Sequence, residues 1–195
     1  GAINGPALLR RSGLTSGGRV GRRTFLHPVT AAIGEYPQRI APWHGAPQSS
    51  HSHEHIDRGP GKVGFFLEVA PGHPTLIASG FRSFGAVHAD LMGRLPHLAV
   101  FLALHVDGLV PGDEGGTVTL RPDGRPRLDY PVRSPYPEAF AASARAMAQV
   151  HFAAGATRVF TGHVDPIVME GGDLSPLGGA RWGAFEHMLG TAHQM

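Results

Sequence analysis

The sequence predicts an α+β fold: an antiparallel sheet with packed helices. Three stretches predict it. "HLAVFLALHV", residues 97–106, is an apolar run of strand length, suited to burial on both faces. "GTVTLRPDGRPRLDYPV" holds two short runs around Pro122-Asp123-Gly124, a β-hairpin pattern. "SPYPEAFAASARAMAQVHFAAGA" has helical periodicity, with Ser134 or Ser-Pro ahead of it, Glu138 in its early turns and Gly155 at its end. Strands grouped before and between helices, with hairpin links, favour a sheet of this kind over alternating βα units.

The elements follow in order. "NGPALLRRSGL" reads as a short helix: Asn4 can cap it, Pro6 suits its first turn and Gly13 can end it. A Gly- and Arg-rich loop leads to a strand expected from Val29 to about Tyr36. "APQSSHSHEH" and "KVGFFLEVA" read as paired strands across the turn signal "DRGPG". From His73 to Leu95 the spacing is mostly helical, through Leu76, Ile77, Phe84, Val87 and Leu91. In the long helix Phe140, Ser143, Met147, Val150 and Ala154 form one stripe. "TRVFTGH" is a short strand, and a helix is expected around Ala180 to Leu189, leading to His193.

Composition narrows the function classes. The chain has 195 residues, 42% hydrophobic and only 16% charged, with 28 Gly and 17 Pro, so one domain with many turns is expected. No run approaches the length of a membrane span, and no signal peptide is read in the stretch given. Cysteine is absent, which excludes disulfides and thiolate metal sites. Five arginines (Arg10, Arg11, Arg19, Arg22, Arg23) crowd the start, but no nucleic-acid recognition motif accompanies them; a solvated face is the better reading. The glycines of "SGGRVGR" neither follow a strand nor open a helix, so they do not form a dinucleotide loop. The chain opens on "GAI" and stops at "GTAHQM", and a piece of a longer polypeptide is expected.

Thirteen histidines make chance proximity the default. His51, His53 and His55 would share a strand face with neighbours roughly 6.5–7 Å apart, too far for all three to reach one zinc. No metal site is expected there, only a polar strand face at solvent or lining a cavity. His27 reads as a packed or turn histidine. His163 and Asp165 read as a turn packing ahead of a base and its orienter.

Three stretches resemble the glucose-methanol-choline (GMC) oxidoreductases, FAD-dependent enzymes that oxidise alcohols. "GAINGPALLRRSGL" is similar to the family's second signature, matching at Gly1, Ala2, Pro6, Leu9, Ser12 and Gly13 and departing at Gly5, Arg10 and Thr15. "VGRRTFLHP" resembles the segment Val-Gly-x-Asn-Leu-x-x-His-Pro, and "GTAHQM" the start of the terminal motif. "PWHGAPQS" is similar to the branch containing long-chain fatty alcohol oxidases.

The resemblance implies a remnant of the FAD domain at residues 1–28, a substrate domain at 29–165, and a return to the FAD domain at 166–195. It also implies His193 as the catalytic base, Gly1 and Ala2 at FAD, a small-molecule alcohol as substrate, and an electron acceptor that the sequence does not specify. Two alternatives stand beside alcohol oxidation: a hydroxynitrile lyase on the same fold, and a metal-binding non-enzyme centred on the His51 run.

Overall fold

The computed structural model describes residues 1–80, 83–163 and 165–182, with the backbone of 192–194. Helix α1 (Asn4–Arg11) is followed by strand β1 (Leu26–Glu35), β2 (His51–Ser52), β3 (Phe65–Ala70), helices α2 (Pro74–Gly80) and α3 (Gly85–Gly93), and β4 (Leu98–His105). Then come β5 (Thr117–Leu120), β6 (Pro126–Asp129), helix α4 (Tyr136–Ala153), β7 (Arg158–Thr161), β8 (Val168–Glu170) and β9 (Ala192–Gln194). Among the described residues, seven strands form one antiparallel sheet in the order β2-β3-β4-β1-β7-β8, with β9 also paired to β1. Strands β5 and β6 form a separate hairpin. The α+β expectation holds.

β1 is the central strand. It pairs with β4 over Val29–Glu35, with β7 over Ala32–Glu35, and with β9 over Leu26–Pro28. Alternation divides the sheet into two faces. Thr30, Ala32 and Gly34 of β1, Phe101, Ala103 and His105 of β4, Phe65 and Leu67 of β3, and Val159 of β7 turn towards α4. There they meet Phe140, Ala144, Met147 and Ala148. The far face carries Ala31 and Ile33 of β1, Leu102 of β4, Phe66 of β3 and Phe160 of β7, all only half-buried.

α4 forms where Ala-rich sequence allows close approach to the sheet. The stripe differs from the expected one at its end. Phe140, Ser143 and Met147 are buried, but the stripe turns to Ala144, Ala148 and His151, while Val150 is 44% exposed and Ala154 faces solvent. At 100° per residue, positions 143, 147 and 151 drift together towards the sheet, so an imidazole occupies a place that hydrophobicity alone assigns to valine. Arg58 pins the helix start, donating to both carboxylate oxygens of Glu138 at 3.0 and 2.6 Å while also donating to the Val63 carbonyl.

Several expectations need adjustment. β1 starts three residues before Val29, and β8 has no counterpart among the expected elements because three residues are too few to show a period. The strand expected in "APQSSHSHEH" shrinks to His51–Ser52, after which the chain turns. The helical stretch after His73 is two short helices and a 3₁₀ turn at Leu95–His97; α3 opens at Gly85, whose φ is +63°, after an extended Phe84. Neither α2 nor α3 buries a residue; Leu76, Phe84 and Val87 are exposed. Asn4 does not cap α1, whose N-cap is Ile3 without a side-chain bond. Gly13 does end it: with φ at +73°, Gly13 N–H donates to the Arg10 carbonyl and Leu14 N–H to the Leu9 carbonyl, a Schellman closure. The helix expected at Ala180 to Leu189 lies largely outside the described residues.

Gly34 lies directly under the His151 ring, and a Cβ there would strike Nδ1, a buried atom already hydrogen-bonded. Gly34→Ala is therefore expected to destabilise the chain by roughly 1–3 kcal/mol, read as a lower urea midpoint at unchanged slope.

Candidate functional site

The amino-terminal end of β1 is where the polar groups gather. Leu26 N–H donates to Asp107 Oδ2 at 2.7 Å, and the Pro28 carbonyl accepts from His105 Nδ1 at 2.9 Å. Asp107 and His105 follow each other at i and i+2 as β4 ends, so one strand terminus clamps the start of another. Tyr130 O–H, beyond the hairpin, donates to the same Asp107 oxygen at 2.8 Å. Burial outweighs these bonds and raises the Asp107 pKa. Burial and the carboxylate together push the Tyr130 hydroxyl up.

Three histidines share one bonding pattern. His105 donates from Nδ1 to Pro28, and its Nε2 lies 3.1 Å from the Ser143 hydroxyl, which donates to the Phe140 carbonyl at 3.0 Å and lies 3.0 Å from Thr30 Oγ1. His151 donates from Nε2 to the Ala32 carbonyl at 3.3 Å and accepts at Nδ1 from Tyr36 O–H at 2.9 Å. His163 donates from Nε2 to the Arg181 carbonyl at 3.0 Å and accepts at Nδ1 from Thr161 O–H at 2.8 Å. His151 and His163 each sit between an obligate acceptor and a hydroxyl, which fixes one neutral tautomer. Burial lowers the pKa of His105 and of His151 to about 4, against smaller upward effects of their backbone bonds.

On the far face a row of rings runs towards the same end of β1. His51 and His53 have centroids 4.8 Å apart, His53 meets Phe66 edge-on at 5.5 Å, and Phe66 lies 5.7 Å from His27. His27 is the register partner of His193 in the β1–β9 ladder. His55 leaves the row: past the turn it packs on Phe65 at 4.9 Å, on the α4 side of the sheet, so the three alternate imidazoles do not share a face. Among the described residues, no three His, Cys, Asp or Glu side chains come together to hold a metal.

The other expected site residues fall as follows. His27 is half-buried in the sheet, a packed histidine. His163 packs edge-on against Trp182 at 4.8 Å, and Asp165 is exposed, which fits the turn packing. Gly1 and Ala2 open α1, where the Gly1 carbonyl accepts from Gly5 N–H at 2.6 Å; a Cβ on Gly1 would meet nothing in this chain within 4 Å. α1 packs on β5, so these two residues belong to a different part of the fold from the β1–β9 pair. Reading the sequence missed the Asp107 and His105 clamp. Its only signal was a polar pair closing an apolar strand.

No protein-family profile matches the chain. It is similar to proteins from two strains of Mycobacterium tuberculosis, each named an uncharacterized GMC-type oxidoreductase, with 32% identity over 165 residues in both cases. The alignment takes in 83% of this chain and 24% of either relative, so the chain spans about a quarter of the length of the curated relatives it matches.

The buried imidazoles set a pH dependence. Their folded pKa values lie near 4, below the ordinary 6.5, so the unfolded chain binds more protons between those limits and stability falls with acidification. Asp107, raised, acts in the opposite sense: its contribution is lost as pH rises through its folded pKa. Two histidines against one carboxylate predict an unfolding free energy flat from pH 8 to 7. It should then drop by about 1.4 kcal/mol per pH unit for each histidine below 6.5. Urea titrations at stepped pH measure this; a flat profile from pH 7 to 5 would contradict the neutral, buried assignment.

Proposed function

Because this chain belongs to the GMC-type oxidoreductases, we propose that it forms the substrate-facing part of an FAD-dependent enzyme oxidising an alcohol to an aldehyde or ketone. In this reading residues 1–28 and 166–195 belong to the FAD-binding part and 29–165 to the substrate domain. One observation supports it above the others: the strand carrying His193 pairs with the start of β1, in register with His27, at the imidazole-rich end of the sheet's half-buried face.

The residues present suit a flavin. Ala31, Ile33, Phe66 and Leu102 give a flat, largely apolar surface beside the His193 strand. Gly1, with open space on its Cα, leaves backbone accessible to a cofactor edge. FAD, when bound, supplies the hydride acceptor. His193 takes the hydroxyl proton of the alcohol, a task for which a neutral imidazole is matched near pH 7. The apolar face excludes water from the reacting carbon and suits an alcohol with an apolar body, in keeping with the fatty alcohol oxidase-like branch. Asp107 and His105 hold the strand against which β9 is registered.

In the full-length flavoprotein, His193→Ala is expected to slow anaerobic flavin bleaching by alcohols on the order of 10²- to 10⁴-fold with FAD content unchanged. Bleaching within a few-fold of the parent would remove His193 from its role. The isolated 195-residue chain should retain far less than one FAD per polypeptide; stoichiometric flavin on it would contradict the division of the fold proposed above.

A further inference from the structure

Of the five arginines crowding the start of the sequence, Arg11, Arg19, Arg22 and Arg23 are exposed, as the solvated-face reading expects, yet four of the five gather at one place. Arg10 from the end of α1, Arg19, Arg22 and Arg23 from the following loop, and Arg133 from beyond the hairpin all line one cleft of about 830 Å³. More than a hundred residues separate the first four from the fifth, so the fold, not the local sequence, brings them together. Thr117 and Thr119, alternate residues of β5, add two hydroxyls to the wall. Glu114 and Asp129 are the acidic members, two against five guanidinium groups.

The cleft is a built concavity. The loop is fastened to the hairpin by backbone bonds between Thr24 and Gly116 at 3.0 and 2.7 Å and from Val118 N–H to the Gly21 carbonyl at 2.6 Å. Gly21, at φ +80°, lies so close to the Val118 carbonyl that any Cβ would collide with it. Arg10 is held by donation from Nη2 to the Val20 carbonyl at 2.6 Å, while its buried Nε has no partner in the chain. Arg23 rests over the Phe25 ring at 5.2 Å and reaches the Asp113 carbonyl at 3.4 Å. Among the described residues, Arg19, Arg22 and Arg133 enter no ion pair.

Converging guanidinium groups repel one another unless an anion lies between them, and their planar forks match phosphate oxygens in pairs. The volume is that of a small-molecule site. We propose that this cleft binds a compact polyanion bearing two or more adjacent phosphate groups, independently of the proposed redox reaction.

Calorimetric titration of the full-length protein with inorganic pyrophosphate tests this, with citrate as a carboxylate counterpart and a single-stranded oligonucleotide as a third ligand. Saturable 1:1 binding of pyrophosphate, tighter than citrate, is expected. Arg22→Ala with Arg133→Ala should weaken it roughly tenfold or more, and the corresponding Lys pair should recover part of the loss. Arg121→Ala with Arg127→Ala, outside the cleft beside the hairpin turn, should leave it within about twofold. Circular dichroism melting of each variant separates misfolding from lost contacts. Absence of saturable pyrophosphate binding, equal weakening by both alanine pairs, or tighter binding of citrate or the oligonucleotide would each overturn the proposal.

Discussion

An imidazole can be buried at little electrostatic cost only while it stays neutral and both nitrogens find partners, and this chain meets that condition three times with the same solution. His105, His151 and His163 each donate to a backbone carbonyl, and the other ring nitrogen of each lies within hydrogen-bond distance of a hydroxyl. The first two join the sheet to α4. His105 reaches from β4 to β1 and to Ser143 of the helix, while His151 reaches from the helix back to Ala32 and Tyr36. Gly34 follows from this arrangement, since a larger residue would displace the His151 ring. The helix is thus held to the sheet by directional bonds as well as by Phe140 and Met147, which fixes its rotation more sharply than apolar packing would.

The consequence reaches the other face. Leu26 and Pro28 are anchored through Asp107 and His105, so the odd-numbered residue between them, His27, is presented at a defined place opposite His193. Proline at position 28 offers no N–H to a ladder, and its carbonyl is used instead by a side chain. The two faces of β1 divide the labour: one takes buried polar bonds that set the strand's position, and the other carries the ring row and the half-buried apolar patch.

Much of the fold was legible because its signals were local. The hairpin declared itself through Pro122-Asp123-Gly124, α4 through its period and alanine content, and β4 through an unbroken apolar run. The failures were non-local. His151 replaced Val150 on the buried stripe because Tyr36 and Ala32, over a hundred residues away, supply its bonds. The clamp on β1 depends on two polar residues whose partners lie some eighty positions earlier. The arginine cleft needs the hairpin to fold back on α1 and its loop, which no window of sequence reveals. Family membership, by contrast, was carried by short motifs at both ends and agrees with the relatives matched.

In the proposed reaction the His193 strand lies at the clamped end of β1, where its imidazole would meet an alcohol beside a flavin. A crystal structure of the full-length flavoprotein with a bound alcohol analogue measures this directly. The expected result is the β9–β1 ladder with His193 opposite His27, and a His193 ring nitrogen within about 2.6–3.2 Å of the analogue's hydroxyl oxygen. An intact ladder with the His193 ring directed away from the flavin, or a different residue in contact with that oxygen, would contradict it.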